Sequence, residues 1–135
     1  MDLKGRVSLP AHFRGLVGEE PLVLVCSYEH TLWLYKKSDF DAFIARFGDT
    51  TFNKSKRRLH DWFTSGAFNV EIDTAGRIRV PAHMQKYAGL DKNITITGNQ
   101  DHAVLRSTSA FQSYLEEIDI DSLTDELVAE GILES

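Results

Sequence analysis

At 135 residues the chain suits one domain, or two very small ones sharing a core. Its 42% hydrophobic and 26% charged content is ordinary for a globular protein, no apolar run is long enough to span a membrane, and nothing at the N-terminus has the form of a signal peptide. The net charge of −5 argues against a nucleic-acid partner only until it is mapped. Leu115–Ser135 holds eight acidic residues and no Lys or Arg, so the rest of the chain carries 15 basic against 12 acidic residues, a net of +3.

The first element is a turn, "DLKG" (Asp2–Gly5), whose Gly is free to take positive φ. "RVSL" then alternates as a strand does. Pro10 suits the first turn of a short helix that Gly18 ends. "PLVLVC" reads as a strand rich in β-branched residues and "TLWLY" as the next strand, and Cys26 sits inside the first as a reduced core thiol. Ser38 then caps a helix whose apolar residues recur at helical spacing. "KSKRRLHDWF" (Lys54–Phe63) predicts a basic helix with Leu59, Trp62 and Phe63 on one apolar side, and Trp33 and Trp62 are both expected in the core. "AFNVEI" (Ala67–Ile72) predicts a strand leading into Asp73.

From there the chain repeats itself. Sliding the sequence by 71 residues places Asp2, Gly5, Arg6, Pro10, Ala11, His12 and Gly18 on Asp73, Gly76, Arg77, Pro81, Ala82, His83 and Gly89. The pattern continues without a gap: "RIRV", "NITIT" and "HAVLR" are expected strands, and Ser109 caps the second copy's helix. One copy is too small to bury a core, whereas two can bury one together, in effect a dimer within one chain. The expected fold is therefore a pseudo-twofold α+β structure with a mainly β core of short strands and peripheral helices. Its divisions are residues 1–47 (first repeat), 48–66 (basic helical linker), 67–114 (second repeat) and 115–135 (acidic tail).

The residue types exclude most chemistry. "DTAG" lacks the Gly directly after Thr that an aspartic protease signature has, and "DLKG" has neither Thr nor Ser. His12, His30, His60, His83 and His102 do not stand at zinc spacing, and no dinucleotide, phosphate-loop or nucleophile-elbow motif occurs. We expect no enzyme, no metal, no cofactor and no small-molecule ligand. What remains is cationic. Arg6 and Arg77 each stand beside a Gly turn, and Arg forks suit phosphate oxygens and guanine edges. Asp2 and Asp73 are expected to hold those turns and pair with the Arg. Lys54, Lys56, Arg57 and Arg58 form the densest basic run, either a solvated helix face or a contact with a DNA backbone.

These residues resemble the MraZ family. "DLKGRVSLPAHFR" is similar to its first signature and "DTAGRIRVPAHMQKYAGL" to its second, and the similarity runs to about Tyr114. The resemblance implies a double-split, swapped-hairpin β-barrel built from two SpoVT/AbrB-like halves. It implies a cytoplasmic, nucleoid-associated transcriptional regulator that assembles as a ring on double-stranded DNA, at direct repeats upstream of the division and cell-wall gene cluster. Carried onto this chain, the motif residues are Asp2, Arg6, Asp73 and Arg77, with Gly5 and Gly76 structural. Lys4, Arg14, Arg79 and Lys86 lie nearby and join the candidate DNA contacts, and the first loop is expected to be the stronger.

The first motif has no strand matching "AFNVEI" ahead of it: either the true start lies upstream or the strand is lost, and a lost strand would leave a bare sheet edge in the first half. The alternative function is a protein-interaction module of antitoxin type that grips a partner with the acidic C-terminal tail. Whether that tail instead folds back on Lys4, Arg6 or the basic run, or contacts another subunit, the sequence leaves open.

Overall fold

The computed structural model describes residues 1–13 and 20–134. Arg14 and Gly18, both singled out in the sequence, lie outside the described residues. In chain order the elements are β1 (Arg6–Ser8), β2 (Leu22–Ser27), β3 (Thr31–Lys36), α1 (Lys37–Ala45), α2 (Lys54–Ser65), β4 (Phe68–Val70) and β5 (Arg77–Arg79). They continue with α3 (Ala82–Tyr87), β6 (Ile94–Gly98), β7 (His102–Ser107), α4 (Thr108–Glu116) and α5 (Ile120–Ala129). The architecture is α+β with a mainly β core, as the alternating segments require. Hydrogen bonding among the described strands makes two antiparallel sheets and no closed barrel: a β1–β5 ribbon and a five-stranded sheet in the order β4-β2-β3-β7-β6.

The two repeats meet at the same place in both sheets. In the ribbon, Val7 pairs with Ile78, the residue that occupies its position in the second copy. In the large sheet, Trp33 pairs with Val104, again its own counterpart. Antiparallel pairing of equivalent residues puts a twofold axis through the pair. The flanking bonds obey it: Leu9 N–H donates to the Gly76 carbonyl at 3.0 Å and Val80 N–H to the Gly5 carbonyl at 2.9 Å.

Strand alternation then sorts side chains between two cores. Leu22, Leu24, Leu32, Leu34, Ala103 and Leu105 face the ribbon, where they bury Val7, Leu9, Ile78, Val80 and Met84. Val23, Val25 and Tyr35 face the other way and pack with Phe40 of α1 and Phe63 of α2. The ribbon and α3 therefore lie on one face of the sheet, and α1 and α2 on the opposite one.

Several local expectations shift. The helix after β3 begins at Lys37, so Ser38 is inside it. The cap comes from the Glu20 carboxylate, which accepts the Ser38 N–H at 2.6 Å. In the second copy the cap is Ser107, accepting from Ala110 N–H at 3.1 Å, and not Ser109. α2 buries only Phe63. Trp62 is half exposed and donates its indole N–H to the Cys26 carbonyl at 2.9 Å, so it sits at the rim of the core, not within it. The unpaired edge is also displaced. β4 precedes the second motif yet covers β2 of the first repeat, while β6 of the second repeat pairs only with β7 among the described residues. β4, the strand ahead of the second motif, crosses to the first repeat's hairpin, so the edge expected to be bare in the first half is covered.

Ile78 is fully buried at the axis. Removing a buried branched side chain costs its transfer energy plus a cavity, so Ile78→Ala should lower stability by about 2–5 kcal/mol, read as a reduced midpoint in denaturant unfolding.

Candidate nucleic-acid interface

Each turn is built by one carboxylate. Asp2 Oδ1 accepts the backbone N–H groups of Lys4 and Arg6, both at 2.9 Å, and its Oδ2 accepts Arg6 Nε–H at 2.7 Å. Asp73 repeats the arrangement with Ala75 N–H and Arg77 N–H at 2.9 Å and Arg77 Nε–H at 3.0 Å. Asp suits this role because its short side chain bonds backbone two residues on while the second oxygen stays free for a cation. Gly5 and Gly76 close the turns at φ +77° and +78°, where L side chains are disfavoured. At Gly5 a Cβ would also collide with the Gln85 side chain, which is itself held by a 2.7 Å bond to the Val80 carbonyl.

The clamp fixes where the Arg forks can go. The Asp takes the Nε edge and leaves the terminal nitrogens of Arg6 and Arg77 without a hydrogen-bond partner among the described residues. Asp2 is shared: Arg77 Nη1 stands 3.9 Å from its Oδ2, so the two motifs touch electrostatically across the axis. The Arg6 backbone N–H is the largest cause that holds the Asp2 carboxyl down to about 2, with the Arg6 guanidinium and the Lys4 N–H adding to it. Asp73 is lowered in the same direction, chiefly by the Arg77 N–H.

Alternation in the ribbon turns Val7 and Ile78 inward and leaves Arg6, Ser8, Arg77 and Arg79 on the outer face, with Arg6 opposite Arg79 and Ser8 opposite Arg77. Three guanidinium groups thus share one face of a two-stranded ribbon. Grooves flank it. One of about 830 Å³ brings Lys4 together with Arg79, beside Asn69 and Gln85. The other, of about 560 Å³, brings Arg6 and Arg77 together with Lys92. The repeat did not point to Lys92, whose counterpart is Pro21; a count of Lys outside the matched positions would have found it.

The remaining candidates are elsewhere. Lys86 is exposed on the last turn of α3. The basic run lies on α2, across the five-stranded sheet from the ribbon. There Lys56 Nζ donates to the Asp49 carbonyl at 3.2 Å, and Arg57 Nη1 to the Thr50 and Thr51 carbonyls at 3.3 and 3.1 Å, whereas Lys54 and Arg58 are exposed. Among the described residues no hydrogen bond or ion pair joins the acidic tail to Lys4, Arg6 or α2. No group of His, Cys, Asp or Glu able to hold a metal ion occurs among the described residues.

The Asp2 clamp has a pH signature. A carboxyl held below its ordinary 3.8 favours the folded state wherever it is ionised, and that contribution is lost on protonation. The melting temperature of Asp2→Asn should therefore lie below that of the parent protein at pH 7, with the gap undiminished down to about pH 4 and closing as pH falls toward about 2.

The model of the family described as "MraZ protein, putative antitoxin-like" matches residues 1–62 and again residues 63–129. A protein of Lachnoclostridium phytofermentans is 35% identical over 73% of this chain and 69% of its own length. One of Leuconostoc citreum is 32% identical over 99% and 92%, and one of Acetivibrio thermocellus 30% identical over 98% and 94%. All three are named transcriptional regulator MraZ, and none is named as an enzyme. With two matches of the family model spanning almost the whole sequence, the chain belongs to the MraZ family.

Proposed function

We propose that the protein is a transcriptional regulator that binds double-stranded DNA with the outer face of the β1–β5 ribbon. The observation that carries this reading is the set of three guanidinium groups, Arg6, Arg77 and Arg79, on one face of a two-stranded antiparallel ribbon. The DNA major groove admits such a ribbon, and an Arg fork matches the O6 and N7 acceptors of guanine. Lys4, Lys92 and Arg79 in the flanking grooves suit the phosphates on either side, which position the ribbon without specifying sequence. The names of the relatives support the same assignment.

The finer reading follows the family. Ribbon and sheet together constitute the swapped-hairpin, double-split barrel, its split being the break in hydrogen bonding between the two sheets. The divisions at residues 47, 66 and 114 separate the two halves, the linker helix and the tail. Several subunits in a ring present several ribbons, and direct repeats upstream of the division and cell-wall genes are bound by avidity, in the cytoplasm at the nucleoid. Arg6 and Arg77 read bases. The first loop, which carries Lys4 as well as Arg6 where the second has Ala75 and Arg77, is the stronger contact. Lys54, Lys56, Arg57 and Arg58 face away from this surface, and Lys86 is peripheral to it.

A salt titration with a duplex carrying spaced repeats from the gene's own upstream region, against a scrambled duplex, tests the reading. The parent should prefer the repeats and lose affinity steeply with salt. Arg6→Ala should cost about 1–3 kcal/mol on the repeat duplex and level the preference, whereas Lys92→Ala should weaken both duplexes alike and reduce the salt slope by about 1. Affinity independent of salt, or a preference unchanged in Arg6→Ala, refutes it.

A further inference from the structure

The hairpin turn between β2 and β3 is strained. Glu29 and His30 both sit at positive φ, +56° and +57°, and among the described residues no other non-glycine residue does. Hairpin turns reserve such positions for Asn and Gly, because a longer side chain crowds its own backbone there. The repeat does not demand it: Gln100 and Asp101, at the equivalent places between β6 and β7, avoid positive φ. Backbone strain of this kind gathers at ligand sites, and here Glu29 and His30 border a depression of about 330 Å³.

Its walls are aromatic. Tyr28 comes from the turn, Trp62 from α2 and Tyr87 from α3, with Leu59 beside them. The ring centroids of Trp62 and Tyr87 are 6.0 Å apart with their planes at 48°, and those of His30 and Tyr87 5.0 Å apart at 41°, so the rings meet as angled walls and not as a stack. Two of them are anchored by their polar edges to the end of β2: Trp62 Nε1–H donates to the Cys26 carbonyl at 2.9 Å, and the Tyr87 hydroxyl to the Ser27 carbonyl at 2.6 Å. Tyr28 and Trp62 stay about half exposed. Glu29 is the carboxylate of the lining, which contains no Lys or Arg, and it has no ion pair among the described residues. Ser27 also lines the depression. Its buried Oγ has no partner among the described residues, an unsatisfied group that a polar substituent of a ligand would satisfy.

An aromatic ring is negative on its face, so angled ring walls beside one unpaired carboxylate suit a cation. A metal ion does not fit, because one carboxylate and aromatic carbon offer it too few oxygens. An ammonium group carrying methyls does fit, since its charge is spread over carbons that pack against the rings and Leu59. We propose that this depression binds a small quaternary ammonium compound, its methyl groups against Tyr28, Trp62 and Tyr87 and its charge beside Glu29. The site belongs to one half of the repeat only. Leu59 and Trp62 lie in the linker, which has no second copy, and Leu16 occupies the sequence position equivalent to Tyr87. Its members come from three separated segments, which is why the sequence pointed to no small-molecule ligand. None of them belongs to the β1–β5 ribbon, so binding here is independent of the DNA reading.

NMR of the full chain tests this with choline as the probe. The indole N–H signal of Trp62, assigned by its loss in Trp62→Phe, should shift saturably as choline is added. Glu29→Gln and Tyr28→Leu, both at exposed positions, should each weaken binding about fivefold. The neutral alcohol in which a carbon atom replaces the nitrogen of choline should bind at least about tenfold more weakly than choline itself. A neutral analogue that binds as well as choline would reveal a merely apolar hollow and overturn the proposal. A shift that does not saturate, or an affinity unchanged in Glu29→Gln, would overturn it equally.

Discussion

The pairing of β1 with β5 at Val7 and Ile78 is the interaction on which the rest of the molecule depends. Three residues per strand make a ribbon that could not persist alone in water. It exists because its inner residues complete a core that neither repeat encloses by itself, and because the backbone bonds from Leu9 to Gly76 and from Val80 to Gly5 tie each motif's turn to the other motif's strand. The same pairing gathers Arg6, Arg77 and Arg79 onto one face. Stability and the candidate interface therefore share one cause, and the site cannot form unless both repeats fold together.

The Asp clamps convert that scaffold into a positioned cationic surface. A surface ion pair contributes little to stability on its own. Here the carboxylate also takes two backbone N–H groups, so each Arg is aligned by the turn and not by its charge partner alone. A preset guanidinium loses less conformational freedom on binding than a free one. Asp2 lies close enough to Arg77 to feel both motifs, whereas the salt bridges show no matching approach of Asp73 to Arg6, so the two halves are similar without being equivalent.

Much of this was legible in the sequence, because an internal repeat displays its own constraints twice. The turns at Asp2 and Asp73, the Gly at positive φ and every strand but β4, which has no counterpart in the first copy, could be placed from two aligned copies. What escaped is what a local pattern does not encode. The cap of α1 comes from Glu20, eighteen residues before Ser38, and no spacing rule near Ser38 reports it. Trp62 and Phe63 are adjacent on an amphipathic helix, so the pattern alone did not say which of them faces the sheet and which its rim. The covering of β2 follows from β4 crossing to the other repeat's hairpin, and the separation of α2 from the ribbon follows from the two faces of the sheet, neither of which a local pattern reports. Ser8 and Arg79 occupy equivalent places, and only the register showed that this inequality puts Arg79 opposite Arg6.

On the proposed reading, DNA meets the ribbon face and not the basic helix on the other side of the sheet. Hydrogen–deuterium exchange of the full chain with and without the repeat duplex measures this directly, amide by amide. Contact through the ribbon should give new protection at residues 2–9 and 73–80, with no change in α2 attributable to DNA. Protection concentrated in residues 54–65, with the two Asp turns exchanging as in the free protein, would contradict it.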